Sequence, residues 1–308
     1  MNQIHPGEVF HDENGEVAQL HGVGITRIGD RWYAWGEDKH DGSRFRAVAC
    51  YSSADLATWH HEGDALTAAS DQDGTGELGP DRIVERPKVL ARPDGRFVML
   101  LHIDAMDYSD AKVGWAIAES PAGPYRYLGS RRPMGNQSRD IGVYQEGGDA
   151  YLLSEDRANG LHVYRLTEDC LDVAELVSST RKPGAEHGYE SPTVVKVDGL
   201  YYQFGSDLTG WSTNDNRYST AESLAGPWSE WRLFAPEGSH TFDSQVSVVL
   251  PVETANGLAH VYLGDRWLPD DLVNSRAVWL PMRVGDGQAQ LEWRDSWSLA
   301  DLDAVVVR

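Results

Sequence analysis

The chain is short of cysteine, short of positive charge and free of long apolar runs, and each shortage closes off a class of protein. Only two cysteines, Cys50 and Cys170, occur in 308 residues, 120 positions apart. That excludes a disulfide scaffold and a thiolate metal cluster, while one bridge between the two stays open. Lys and Arg number 27 against 48 Asp and Glu, a net charge of −21. Such a surface repels polyanions, so no nucleic-acid partner is expected. No stretch approaches the roughly 18 apolar residues that a membrane-spanning helix needs. The opening residues, MNQIHPGEVF, carry neither a basic n-region nor an apolar h-region, so the expected location is the cytoplasm. Nothing in the sequence specifies an oligomeric state.

What the chain has in quantity is aromatic and glycine: 11 Trp, 13 Tyr and 31 Gly. With hydrophobic residues at 41%, it can bury a core, and wholesale disorder is excluded. The rings have two readings, filler for the core of a β-rich protein or paving for a sugar site, and core filling is the commoner use.

Five segments share one layout: a polar start, an apolar run, a Gly/Asp turn and an aromatic-rich run. They are HGVGITRIGDRWYAWGED from His21, ERPKVLARPDGRFVMLLHID from Glu85, RDIGVYQEGGDAYLLSED from Arg139, ESPTVVKVDGLYYQFGSD from Glu190 and DSQVSVVLPVETANGLAHVYLGDRW from Asp243. Gly-Asp, Asp-Gly and Gly-Gly-Asp between β-branched and aromatic runs signal hairpins. A weaker repeat, YSSADLATWHHEG, AESPAGPYRYLG and STAESLAGPWSEW, supplies a further strand and turn. Helical periodicity never persists beyond about two turns, apart from one short helix expected around Ser298–Ala304. Five copies of a three-to-four-strand unit predict an all-β fold, a five-bladed β-propeller filling residues 1–308 as a single domain. Its blades begin near 21, 85, 139, 190 and 243, and the C-terminal segment closes the ring. A β-sandwich competes but leaves the repeat unexplained.

In a propeller the innermost strand of each blade aims one end at the central channel, so a polar residue at one repeat position converges on one spot. That position reads His21 or Gly22, then Glu85, Asp140, Glu190 and Gln245, the last four spaced by 55, 50 and 55 residues. Carboxylates that open apolar strands are costly to desolvate, which argues for function. The plainer reading caps strand ends in solvent or pairs them with Arg86 and Arg139. Three carboxylates and an amide in one pocket suit glycoside chemistry, in which one protonated carboxyl serves the leaving oxygen and a second group activates water. Crowded like charges raise one pKa and keep that group protonated.

At these residues the chain resembles glycoside hydrolase family 43, most of all its exo-β-1,3-galactanase and galactosidase branch. The matching stretches run in order from about His21 to Met282: HGVGI…WYAWGEDK, YSSADLATW, ERPKVL, SRDIGVYQEGGDAYLL, YESPTVVKVDGLYYQFGSDLTGW, FDSQVSVVLPV and YLGDRW…SRAVWLPM. The resemblance implies an inverting exo-hydrolase that frees galactose from the non-reducing end of β-1,3-linked oligosaccharides. By it, Glu190 matches the general acid and Asp140 the carboxylate that orients this acid and raises its pKa. Most of the family opens the first blade with a base Asp, where this chain reads His21-Gly22-Val23-Gly24. The galactanase branch shares that gap and gives the water to a Gln, matched by Gln245. An amide is a poor base, so the role demands an imidic-acid tautomer or mere positioning of the water. Glu85 matches a sugar-binding glutamate and is the alternative base. Glu37, Tyr108, Thr209 and Trp267 match hydroxyl and stacking contacts. The resemblance implies no cofactor and leaves a structural Ca²⁺ in the channel open.

Two further readings of the scaffold are a β-D-galactofuranosidase or α-L-arabinofuranosidase, and a sugar-binding propeller without catalysis. With no leader and no appended carbohydrate-binding module in the sequence, imported galacto-oligosaccharides are the expected substrates rather than extracellular galactan. Elsewhere, His60-His61 is the one adjacent histidine pair, and no HExxH or CxxC motif occurs, so no zinc site is expected. The loop DQDGTGELGPD at 71–81 lacks the spacing of a calcium loop and reads as solvated. Ser52, Ser53 and Ser191 have no nucleophile-elbow context. His187 is a candidate for the pocket rim.

Overall fold

The computed structural model describes residues 2–181 and 188–307. Five four-stranded antiparallel sheets follow one another along the chain, each in simple up-and-down order. Blade 1 contains β1 (His21–Ile28), β2 (Arg31–Glu37), β3 (Ala47–Ser53) and β4 (His60–Thr67). Blade 2 contains β5 (Arg82–Ala91), β6 (Phe97–Ala105), β7 (Lys112–Ala118) and β8 (Arg126–Arg131). Blade 3 is β9 (Ile141–Glu146), β10 (Asp149–Asp156), β11 (Gly160–Leu166) and β12 (Val173–Thr180). Blade 4 is β13 (Tyr189–Val197), β14 (Leu200–Asp207), β15 (Arg217–Ala221) and β16 (Arg232–Leu233). Blade 5 is β17 (Gln245–Thr254), β18 (Gly257–Arg266), β19 (Arg276–Gly285) and β20 (Gln288–Leu291). The first strands touch one another in turn, β1 to β5 to β9 to β13 to β17 and back to β1, which makes the molecule a five-bladed β-propeller rather than a sandwich.

Tight turns set the hairpin registers. At Asp198-Gly199, between β13 and β14, both residues take positive φ (49° and 84°), the geometry whose twist matches that of the flanking strands. The weaker second repeat is the third and fourth strand of a blade, as in β7 and β8. Among the described residues helix is confined to one turn at His240–Asp243 and short 3₁₀ turns, the last at Leu299–Val305, where Ser298 and Asp301 cap each other.

The apolar interior is divided. One cluster lies between each pair of neighbouring blades, for example Val89, Met99 and Ala116 of blade 2 against Trp35, Val48 and Cys50 of blade 1. The cluster between blades 5 and 1 also takes in Ile4, Trp297, Leu302 and Val305, and Ile4 bridges to Trp297. Five tryptophans, Trp35, Trp59, Trp115, Trp279 and Trp297, are fully buried, so most of the aromatic excess is core filler. Cys50 and Cys170 are buried free thiols in different blades.

Inner strands come so close that small residues are obligatory. A Cβ on Gly142 of β9 would sit 2.0 Å from the Pro192 carbonyl of β13. Backbone cannot retreat there without moving a blade. Gly142→Ala should therefore cost about 1–3 kcal/mol, as overpacking does, read as a lower urea midpoint at unchanged m-value; an unchanged midpoint would show that the blades slide freely.

Candidate active site

The site is built where the inner strands open. Four of the five carry a register shift just inside the end that faces the channel, between His21 and Gly24, Glu85 and Lys88, Glu190 and Thr193, and Val246 and Val248. Such bulges bend a strand and re-aim the side chains beside them. Gly22, Arg86 and Ser191 take left-handed backbone there (φ 59°, 53° and 53°). Strain at non-glycine residues is usually kept where it serves a site. In blade 3, Asp140 stands just ahead of β9, tied by the Glu155 amide donating to the Asp140 carbonyl at 2.9 Å. Opposite each opening residue stands a polar residue at the end of the second strand. Glu37 faces His21, His102 faces Glu85, Ser206 faces Glu190 and Asp265 faces Gln245.

One guanidinium ties the blades together. Arg86 of blade 2, buried, donates to Gln245 Oε1 at 2.5 Å and Ser247 Oγ at 2.8 Å, both on blade 5. It pairs with Asp140 of blade 3 at 3.1 Å and Asp265 of blade 5 at 3.5 Å, while its backbone amide donates to Glu37 of blade 1 at 2.9 Å. Burial opposes its charge, yet these carboxylates hold its pKa above the ordinary arginine value. The buried Lys88 Nζ donates to the carbonyls of Gly22 and Val23 at 2.9 and 3.0 Å, and burial and Arg86 lower its pKa to about 7.

The carboxylates split into two states. Burial, and then repulsion from Asp140 and Glu155, hold the Glu190 pKa well above the usual carboxylate value. Glu155 is itself buried, with Arg157 Nε 3.6 Å from one oxygen but no hydrogen bond to either, and burial lifts its pKa to about 7 against the pull of Arg157. Glu85 goes the other way. Burial would raise it, but the His102 contact at 3.2 Å and the charges of Lys39, His102 and Arg86 bring it down to about 2. His102 in turn lies between Glu85 and Asp104, 2.9 Å from the latter, and although burial opposes it, these partners lift it to about 9. Glu37 pairs with Lys39 at 2.6 Å.

These groups surround a cavity of about 240 Å³, lined among others by Glu37, Glu85, Asp140, Glu190, Gln245 and Trp267. Its size is below the ~300–1,000 Å³ typical of ligand clefts, which suits one sugar ring. Tyr108 donates to Glu85 at 3.2 Å, and Trp267 donates to Gln245 at 3.1 Å. Trp211, 40% exposed, meets Trp267 edge-on at 5.3 Å and extends the wall. Of the eight residues to which the resemblance gives a role, Thr209 alone is not in the lining. Its hydroxyl bonds Ser212 and Asn214 inside its own loop, and Gly210 and Trp211 take its place. His21 lies behind Trp267, and burial and Lys39 lower its pKa to about 4. His187 lies outside the described residues.

Lys39, His102, Glu155, Ser206 and Asp265 were not singled out from the sequence, and Arg86 was expected only as a plain partner for the acids. The signal was present, since the aligned hairpins end on WGED, LHID, LSED, FGSD and LGDR, a second polar register one strand outward. Away from the site, His60 pairs with Glu13 and His61 packs on Tyr51. In the 71–81 loop, Asp71 accepts from Thr75 and Gly76 of that same loop. The set Glu85, His102 and Asp140, whose donor atoms lie within 4.8 Å of one another, does not fit a cation. His102 is engaged by two carboxylates, Asp140 is paired with Arg86, and the charge is already neutralised by side chains.

Residues 20–240 match Glycosyl hydrolases family 43. A candidate exo-β-1,3-galactanase from Bifidobacterium bifidum s17 is 47% identical, with 94% of this chain and 97% of that one covered and a TM-score of 0.90. The exo-β-1,3-galactanase of Phanerochaete chrysosporium, solved with β-1,3-galactotriose, is 37% identical over 99% of this chain and 70% of that one, with a TM-score of 0.90. One from Clostridium thermocellum is 32% identical over 96% of this chain and 66% of that one, with a TM-score of 0.87. No curated protein matches the chain.

The charges predict how the raised carboxyl responds to its neighbour. Glu155→Gln removes a repulsive charge, so the Glu190 pKa should fall, seen by carbon NMR of labelled glutamate carboxyls as a midpoint moved to lower pH; an unmoved midpoint would free Glu190 of Glu155.

Proposed function

The chain belongs to the glycosyl hydrolases of family 43, and on that footing we propose an exo-acting, inverting enzyme that releases galactose from the non-reducing end of β-1,3-linked galactosides. The observation that carries this is that two carboxyls of opposite tendency, Glu190 with its pKa raised by burial, Asp140 and Glu155, and Glu85 with its pKa lowered by His102, Lys39 and Arg86, line one cavity of single-sugar size. Arg86 lines the cavity and links blade 2 to blades 3 and 5 across the channel, which supports a pocket that takes the end of a chain. The galactanases that match over most of this chain supply the sugar and the linkage.

In the proposed reaction the Glu190 proton passes to the glycosidic oxygen as the C1–O bond breaks and its electron pair stays with the leaving sugar. Asp140, anchored by Arg86, keeps Glu190 protonated until that moment. Water attacks C1 from the opposite face, and its proton passes to Glu85, which Lys39 and His102 keep ionised. Solvent then resets both carboxyls. Trp267 and Trp211 offer apolar ring faces to the sugar, while Glu37, Glu85 and Tyr108 meet its hydroxyls.

Glu190→Gln should lose at least about a hundredfold in kcat on β-1,3-galactobiose while galactose binding and the fold survive; retained turnover would remove Glu190 as the acid. Release only from nitrophenyl galactofuranoside or arabinofuranoside would move the substrate to a furanoside, and binding without release would leave a sugar-binding propeller. Proton NMR of fresh hydrolysate should show the inverted anomer first; the retained anomer would refute the route.

A further inference from the structure

The amide of Gln245 has no hydrogen-bonding capacity to spare. Its oxygen accepts from Arg86 Nη2 at 2.5 Å and from the Trp267 indole at 3.1 Å. Both are obligate donors, so the orientation of the amide is fixed by chemistry: the oxygen must face them. The nitrogen therefore faces the other way and gives one hydrogen to Glu190 Oε1 at 2.8 Å and the other to Ser206 Oγ at 3.0 Å. Two lone pairs and two hydrogens are all an amide has. An imidic-acid form would aim a hydroxyl at a guanidinium and an indole N–H, donor against donor, or leave a bare nitrogen against Glu190.

We propose that Gln245 is a positioning residue for the acid, holding Glu190 by Oε1 so that the proton rides on Oε2, the oxygen left to face the leaving group. The inference rests on the hydrolase reading above, with Glu190 as acid. A neutral carboxyl has one oxygen that accepts and one that carries hydrogen. An amide N–H on Oε1 makes that oxygen the acceptor and selects the other for the proton. The wiring continues outward: Arg86 grips Asp140 and Gln245 with the same nitrogen, so the group that raises the acid's pKa and the group that orients it share one anchor.

The two roles for Gln245 part company when the leaving group changes. A residue that serves the acid matters only while the departing oxygen needs a proton, whereas a residue that activates water matters for every substrate. We would measure Gln245→Ala and Glu190→Gln on β-1,3-galactobiose and on β-galactosyl fluoride, whose leaving group needs no acid. Gln245→Ala should lose at least about a hundredfold on the disaccharide and less than about tenfold on the fluoride, in parallel with Glu190→Gln. An equal loss on both substrates, with Glu190→Gln still selective, would overturn the positioning role and return the water to Gln245. If Glu190→Gln itself shows no selectivity, the acid assignment fails, and with it this inference. A second readout is the pH profile. An N–H donated to Oε1 favours the ionised acid, so its loss should move the alkaline limb of kcat/KM to higher pH, opposite to the shift expected from Glu155→Gln. A limb that stays put would count against the inference, and near-native circular dichroism with retained galactose binding separates these results from misfolding.

Discussion

The buried guanidinium of Arg86 is the interaction on which the rest of the site depends. Among the described residues it is the one cation that reaches carboxylates of blades 3 and 5 and an amide of blade 5 from blade 2, while its own backbone meets blade 1. A fork of fixed geometry can bind several oxygens at once, which a lysine ammonium cannot do in the same way. Left unpaired, such a charge would cost several kcal/mol to bury, and so would each carboxylate that it meets. Arg86 and its anionic partners therefore exist in the interior only together. The left-handed backbone at Arg86 is the local strain accepted to aim that side chain across the channel.

Charge is otherwise sorted by position. Glu190 lines the cavity and Glu155 lies near it, both close to Asp140, where burial and neighbouring carboxylates favour the protonated form. Glu85 sits toward Lys39 and His102, where cations crowd and protons are shed. Two carboxyls of the same chemistry are thus driven apart in acidity by neighbours only one strand away, the arrangement that general acid and base pairs require. The net acidity of the chain says nothing of this, because what matters is local alternation of sign within one small cavity.

Much of this was legible from the order of residues, for physical reasons that can be named. Gly/Asp turns between β-branched runs mark hairpins because few residues tolerate their backbone, so the repeat and hence the ring were visible. The opening positions Glu85, Asp140, Glu190 and Gln245 were visible because a costly polar residue at a fixed place in an apolar strand is conspicuous. Arg86 was read only as a plain partner for the acids, since a side chain that crosses a channel leaves no periodic trace. Glu155, Ser206 and Asp265 end strands in stretches such as LSED and FGSD, which pass for ordinary turn approaches. Thr209 shows the converse, because a resemblance carries a residue to a loop but not the direction in which its hydroxyl turns.

The separation of the interior into five clusters has a mechanical side. In a closed ring every blade has a neighbour on both sides, so none can peel away without opening two seams at once, and the repeat is spared the end-fraying of open arrays. The seams are unequal, however. The buried residues between blades 3 and 4 are few, Leu153, Val163, Val194, Tyr201 and Leu224 among those described. Asp140 and Glu190 face each other across that seam, one on either bank. The joint with the smallest described apolar cluster is thus the one that lies between the acid and the charge that tunes it, so any breathing there is felt as a change in acidity.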